Sequence, residues 1–450
     1  MNQARQAEMT LAQSSAQTLL LRILTLGAQV PSSILLARLL GVEGKGAYTL
    51  LTVVPWLVTF IMLGGLNTSQ SYLLSGGKAR LSSVVRLCTL SMLVITPIAV
   101  WIYLRLVVPQ VMESLPEHLV VLSCILVPLV LCRYFVLSIL LGFEKVIRFN
   151  LVYFYTSLAI LLLVVVLVAG LGYGLDGALA GFIAAQTLVI PLGAFWIRRI
   201  SRAETRARSK ERFEGWSFLK KSLSYGLKGH PAGVLVTFNQ RFDIFLLGAL
   251  AGPAQVGLYA VAVAVAETVW HIPMSVHLNL FPRVSAEGAQ EGARRLPRAC
   301  RMTFMLSAGM ALGLLLFGRL LIGILFGSSF LPAYAAMAAL LPGVLAVSVS
   351  NVFESFFAGI DRRHYQSIAV GCAFPLGLGL GLWLIPLYGA LGAGLASTAS
   401  YVLQMAISIA LFNRLGKIAW RDFFLFRWRD LVDLYRLLKE LFRSRDGKSA

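Results

Sequence analysis

The chain has 450 residues, 58% hydrophobic and only 13% charged, with 40 Lys and Arg against 20 Asp and Glu. A soluble domain carries about 25% charged residues. The composition therefore excludes a large water-soluble catalytic domain and, at about 20 apolar residues per span, leaves room for a dozen transmembrane helices and little else. The balance of +20 would suggest nucleic acid in a soluble protein; here the position of the cations relative to the spans carries the meaning, and no nucleic acid partner is expected.

The chain opens with a polar stretch holding one basic residue, Arg5. No small-residue cleavage site follows the first apolar run, which is read as a retained span. Six apolar runs follow one another at 16–40, 47–74, 87–108, 118–142, 149–170 and 177–197. Six more lie at 222–250, 257–281, 302–326, 335–359, 365–386 and 389–412. The connections are short except for the basic segments 198–221 and 282–301, and the chain is charged after Leu411. The five cysteines, Cys88, Cys124, Cys132, Cys300 and Cys372, lie in or beside apolar runs without CxxC spacing, which indicates neither a disulfide framework nor a zinc site.

With the N-terminus assigned to the cytoplasm, 32 of the 40 basic residues fall on the inner side. Two, Lys45 and Arg105, fall outside, and six lie within spans. Short loops share the bias with long ones, as the positive-inside rule requires, so both termini are expected in the cytoplasm. In the tail, Leu431, Leu434, Tyr435, Leu438, Leu441 and Phe442 recur at helical spacing, with Arg436, Lys439, Glu440 and Arg443 largely on the other side. This amphipathic pattern suits a helix lying along an anionic inner leaflet or against a partner helix.

The two halves echo each other. Leu35–Gly41 with Gly46-Ala47-Tyr48 matches Leu246–Gly252 with Gly257-Leu258-Tyr259 at an offset of 211. Gly177-Ala178-Leu179 matches Gly389-Ala390-Leu391, and Leu141–Lys145 matches Ala358–Arg362. These echoes predict a duplicated six-helix unit: an N-lobe over 1–197, a basic linker over 198–221, a C-lobe over 222–412 and a cytoplasmic tail over 413–450. Because six is even, both copies enter the membrane in one direction, and their pseudo-twofold axis runs along the membrane normal with a cavity between the bundles. Transporters built this way alternate access by rocking one lobe against the other. Prolines inside spans, such as Pro31, Pro55, Pro231 and Pro342, fit helices that bend.

No enzyme signature is present. Gly172–Gly177 satisfies GxGxxG but follows a membrane span rather than a βαβ strand, so dinucleotide binding is rejected. No nucleophile–base pair or metal-spaced cluster occurs among the five histidines, so neither a metal nor a cofactor is expected. Ionisable residues inside spans cost several kcal/mol each at the bilayer centre and are the informative set. The first lobe has Arg22 and Arg133 and no acid within a span; the second has Lys228, Arg241, Asp243, Glu267 and Glu354. Cations without acids must face water, backbone carbonyls or an anionic ligand. Arg22, Arg133, Arg241 and Lys228 are therefore the candidate anion-binding set, since a guanidinium fork suits phosphate or diphosphate. Asp243, Glu267 and Glu354 are candidates for ion pairing or for proton or sodium coupling.

Ile34–Gly41 followed by Gly44-Lys45-Gly46-Ala47-Tyr48 resembles the opening of polysaccharide-export flippases of the multidrug/oligosaccharidyl-lipid/polysaccharide superfamily. Phe242–Gly248 with Gly257-Leu258-Tyr259 resembles the start of their second lobe, and Glu267–Pro273 through Leu280–Ser285 their eighth helix. The resemblance implies translocation of an undecaprenyl-diphosphate-linked oligosaccharide to the periplasmic leaflet of a bacterial inner membrane, for cell-surface polysaccharide assembly. It also implies polysaccharide polymerases or glycosyltransferases as partners. A cation-coupled drug exporter, a lipid II flippase and a non-transporting scaffold are the alternatives; the acid-free first lobe argues against the exporter, and twelve rather than fourteen spans against the lipid II flippase.

The orientation is directly testable. In a variant without native cysteines, Ser114→Cys should react with a membrane-impermeant maleimide applied outside the membrane, and Lys145→Cys should not. The reverse pattern would overturn the assigned topology.

Overall fold

In the computed structural model every regular element among the described residues is a helix. These residues are 2–77, 79–204, 215–270, 289–414 and 421–424. The amphipathic stretch 430–442 lies outside them, as do 205–214 of the linker. Along the first half run α1 (Asn2–Met62), α2 (Leu66–Ser75), α3 (Leu81–Ile102), α4 (Val108–Val111), α5 (Glu117–Ser123), α6 (Leu126–Gly142), α7 (Val146–Leu163), α8 (Gly174–Thr187) and α9 (Val189–Glu204). The second half holds α10 (Gly215–Ala266), α11 (Ala289–Phe326), α12 (Ala333–Gly359), α13 (His364–Tyr388), α14 (Ala390–Asn413) and α15 (Arg421–Phe424).

Ten helical stretches among the described residues are long and apolar enough to span a bilayer, two of them long enough to hold two of the twelve sequence spans each. Two of them, Gln17–Met62 and Ser217–Trp270, are 46 and 54 residues long, roughly twice what a hydrocarbon core of about 30 Å requires. Each is broken once. Gly41 (φ 69°, ψ −173°) interrupts α1, and Gly252 (φ 79°, ψ 177°) interrupts α10. That backbone region is essentially closed to residues with a Cβ.

The chain folds back at both breaks. Leu36 and Tyr48 would lie about 18 Å apart on a straight helix, yet they share one buried cluster with Val164, Val168 and Ala178. Lys45 Nζ, likewise a dozen residues along from Ser33, reaches its Oγ at 3.3 Å. In α10 the Tyr259 hydroxyl donates to the Asp243 carboxylate across 16 residues. Sequence spans 1 and 2 are therefore the two arms of α1, and spans 7 and 8 begin as the two arms of α10. Lys45, counted among the outer cations, lies four residues past the Gly41 break with 7% of its surface exposed.

Equivalent positions in the two halves have matching backbones. Besides Gly41 and Gly252, Glu144 (φ 56°) and Asp361 (φ 59°) are the two non-glycine residues with positive φ among the described residues, and they close corresponding turns. The echo of Gly177 in Gly389 differs: Gly177 is helical within α8, whereas Gly389 carries the turn (φ 56°) between α13 and α14.

Two compact units are formed. The first comprises residues 1–237, 241–260 and 323–331, and the second 238–240, 261–322 and 332–450. In the first, α2, α3, α6, α7 and α9 enclose Leu73, Leu131, Leu140, Val152 and Val189. Backbones come into contact where glycine removes the side chain. A Cβ on Gly46 would strike the Pro253 carbonyl, and one on Gly257 the Val42 carbonyl. Toward the other end of the same arms, Gly65 meets Gly226 in the same way. Lipid is as apolar as leucine, so such helices gain by close van der Waals packing rather than by hydrophobic burial. Arg38 adds a polar fastening: Nε donates to the Leu325 carbonyl at 2.8 Å and Nη2 to that of Ile324, satisfying carbonyls that the end of α11 leaves open.

In the second unit α14 packs between α12 and α13. Gly343 lies against Thr398, Gly394 against the Ala336 carbonyl and Gly377 against Ser400. Phe353, Phe356, Phe412 and Phe423 form an aromatic cluster at one end, where Arg301 Nη1 donates to the Asp422 carbonyl at 2.7 Å. On α11, Leu316, Leu320 and Ile324 are 67, 62 and 60% exposed; at four-residue spacing they form one apolar stripe, as a lipid-facing helix requires.

Gly46→Val and Gly257→Val should each destabilise the fold by about 1–3 kcal/mol, because the obstructing atoms are backbone and cannot rotate away. Thermal unfolding of the purified variants, compared with Gly379→Val in open space, checks this.

Candidate functional site

Arg133 sits near the middle of the span Glu117–Gly142 and is half-buried. Its Nη1 donates to Gln186 Oε1 at 3.3 Å, and its Cζ lies 4.7 Å from the centre of the Tyr153 ring. Both partners are neutral, so they orient the guanidinium without neutralising it. The acids of the first half stand away from mid-span: Glu8 lies in the opening turns of α1, and Glu43, Glu113, Glu117, Glu144 and Asp176 stand at helix ends, in turns or beside the Gly41 break.

The next residue, Tyr134, accepts a hydrogen bond on its hydroxyl from Trp56 Nε1 at 3.0 Å. Trp56 stacks with Phe60 one helical turn along α1, with centroids 6.0 Å apart and planes 17° apart. Phe60 in turn meets Tyr134 at 6.1 Å and His230 of α10 at 5.6 Å. His230 Nε2 lies 2.9 Å from the Ile61 carbonyl and, because a carbonyl only accepts, donates to it. Trp56, Phe60, Arg133, Tyr134, Tyr153 and His230 are all half-buried, so each retains an uncovered face. The sequence analysis missed the aromatic members. Their signal is the recurrence of rings with polar edges, Trp56, Tyr134 and Tyr153, inside otherwise aliphatic spans.

The other sequence candidates have distinct settings. Arg22 on α1 and Lys228 on α10 are exposed, whereas Arg241 on α10 is half-buried; with Arg133 and Asp243 they belong to the first unit. Asp243 braces the Gly252 break through Tyr259, whose side chain is fully buried. Glu267 opens the short 3-10 turn Glu267–Trp270 and Glu354 lies on α12; both are half-buried and belong to the second unit.

The second unit also contains a polar spine that the sequence reading did not identify. Asn239 Nδ2 donates to Gln404 Oε1 at 3.0 Å. The Ser400 hydroxyl lies 2.6 Å from Asn239 Oδ1 and 3.0 Å from the Ala373 carbonyl, sharing one hydrogen between them. Ser400, Gln404 and Ser408 fall on one face of α14 at four-residue spacing, and that pattern was available in the sequence. Among the described residues no three His, Cys, Asp or Glu side chains gather as a metal-holding group.

Residues 35–335 match the family described as "Polysaccharide biosynthesis protein". No curated protein matches the chain in sequence. Among solved structures it is similar to a lipid II flippase, MurJ, in an inward closed conformation, with 16% identity and a TM-score of 0.73 over 92% of this chain and 89% of that one. It is also similar to an inward-facing multidrug resistance MATE family transporter of the MOP superfamily, with 14% identity and a TM-score of 0.68 over 87% and 94% of the two chains. A MOP superfamily transporter from Pyrococcus furiosus gives 14% identity and a TM-score of 0.58 over 89% and 95%. At these identities the likeness is one of fold: a multi-pass helical membrane protein of MOP architecture.

Tyr259→Phe removes the donor to a charged acceptor and should cost about 1.5–3 kcal/mol. The unfolding temperature of the purified variant should fall, and restoring the wild-type value with the double variant Asp243→Asn, Tyr259→Phe would show that the carboxylate is what needs the hydroxyl.

Proposed function

The chain belongs to the polysaccharide biosynthesis protein family, and we propose that it translocates an undecaprenyl-diphosphate-linked oligosaccharide across a bacterial inner membrane by alternating access. The observation that carries this reading is Arg133: a half-buried guanidinium near the middle of a span, held by Gln186 and Tyr153. A cation is expensive at that depth unless it serves a ligand or a hydrated path. A planar fork pre-oriented by neutral groups suits a diphosphate, which takes two parallel hydrogen bonds.

Each part of the substrate has a counterpart. The diphosphate lies against Arg133, with Arg241, Arg22 and Lys228 supplying further positive charge along its route. The polyprenyl tail stays in lipid, against which the exposed aliphatic faces of the helices are suited to lie. Both termini face the cytoplasm, where glycosyltransferases that build the glycan are the partners before transfer, and a polymerase that consumes it acts on the opposite side. Glu267 and Asp243 are the groups through which a proton or sodium gradient would act.

The test is reconstitution into liposomes with an undecaprenyl-diphosphate-linked oligosaccharide, with and without a pH or sodium gradient. Wild type should move the glycan; Arg133→Ala and Arg241→Ala should each slow it by about tenfold or more, from the loss of a charge-assisted hydrogen bond, while leaving abundance unchanged. Normal translocation by the double variant would overturn the diphosphate assignment. Efflux of cationic drugs without glycan movement would favour an exporter.

A further inference from the structure

The proposed diphosphate site accounts for Arg133, but not for the aromatic group beside it. Trp56, Phe60, Tyr134 and His230 come from three different helices, α1, α6 and α10, and all belong to the first unit. Their ring centroids step by 6.0, 6.1 and 5.6 Å outward from Phe60, a spacing comparable with the width of one sugar ring. Simple packing does not explain the choice of residues. A span interior built for packing alone uses leucine and phenylalanine, because the indole N–H and the phenol hydroxyl each need a partner in an apolar medium. Here those polar edges are paired with each other, Trp56 Nε1 to the Tyr134 hydroxyl, which fixes the two rings while part of their surface stays uncovered.

We infer that Trp56, Phe60 and Tyr134 form a stacking platform for the first sugars of the lipid-linked substrate, next to the guanidinium that holds its diphosphate. This inference rests on the flippase reading given above. A pyranose presents an apolar C–H face and a rim of hydroxyls; aromatic rings match the face, and mixed donors and acceptors match the rim. Arg133 and the Tyr134 hydroxyl supply that rim chemistry beside the rings, with buried Gln186 holding the guanidinium in place. Arg133 and Tyr134 are neighbours in sequence, so α6 sets the phosphate-binding and sugar-binding groups at the same depth, about 100° apart around its axis. The order matches the substrate, in which the first sugar is joined directly to the diphosphate. Because stacking reads the ring face rather than individual hydroxyls, the platform accepts sugars of different identity, while the guanidinium insists on the anionic head.

The test is equilibrium binding by the full-length protein in nanodiscs with two probes: undecaprenyl diphosphate, and undecaprenyl diphosphate carrying an oligosaccharide. Wild type should bind the glycan-bearing lipid about tenfold more tightly, the order of one to two aromatic contacts. Trp56→Leu and Phe60→Leu should erase that difference while leaving affinity for the bare lipid unchanged; Arg133→Ala should weaken both probes. Tyr134→Phe, which keeps the ring, guards against misfolding and should retain more of the difference than Trp56→Leu. A glycan advantage that persists in folded Trp56→Leu and Phe60→Leu, or that is missing in wild type, would overturn the platform. If wild type bound the glycan lipid and failed to bind bare undecaprenyl diphosphate, the diphosphate assignment would fall and the platform would stand.

Discussion

Two folded-back helices touching at bare backbone form the constraint on which the first unit depends. Gly41 and Gly252 let α1 and α10 reverse, and Gly46 and Gly257 let the reversed arms approach until carbonyl meets α-carbon. Neither requirement tolerates a side chain: the first for conformational reasons, the second for lack of space. Between lipid-solvated helices, contact distance decides the strength of association. The echo of sequence between the halves is therefore an echo of mechanics, since the same two glycines recur where the same fold-back is made.

Polar groups are then added where this frame leaves openings. Each fold-back is bridged by a side-chain pair, Lys45 with Ser33 in one and Tyr259 with Asp243 in the other. The two bridges are not chemical copies. In the first half a cation is turned inward, and in the second an anion. The two halves share the geometry of the fold-back while the charge beside it differs in sign.

Much of this frame was legible in the sequence. Hydropathy located the spans, the 211-residue offset located both breaking glycines, and the Glu144 and Asp361 turns followed from the third echo. Hydropathy did not report that Gly41 and Gly252 each join two of those spans into one broken helix, nor that Lys45, close to the first break, is buried. Arg133 was visible as a buried cost, but its partners were not. Gln186 and Tyr153 are 53 and 20 residues away, Trp56 lies 78 residues from Tyr134, and Asn239 lies 165 from Gln404. Such pairings depend on which faces of separate helices meet, and periodicity within one helix is silent about that.

The Arg38 fastening has a consequence for how the chain is assembled. Its acceptors, Ile324 and Leu325, are synthesised nearly 300 residues after it. Until α11 has emerged, the guanidinium near the Gly41 break has nothing of that kind to hold, and the first arm of α1 can settle in the bilayer without being committed to its final place. The first arm of α1 can thus gain this fastening only once a late segment of its own chain has been made.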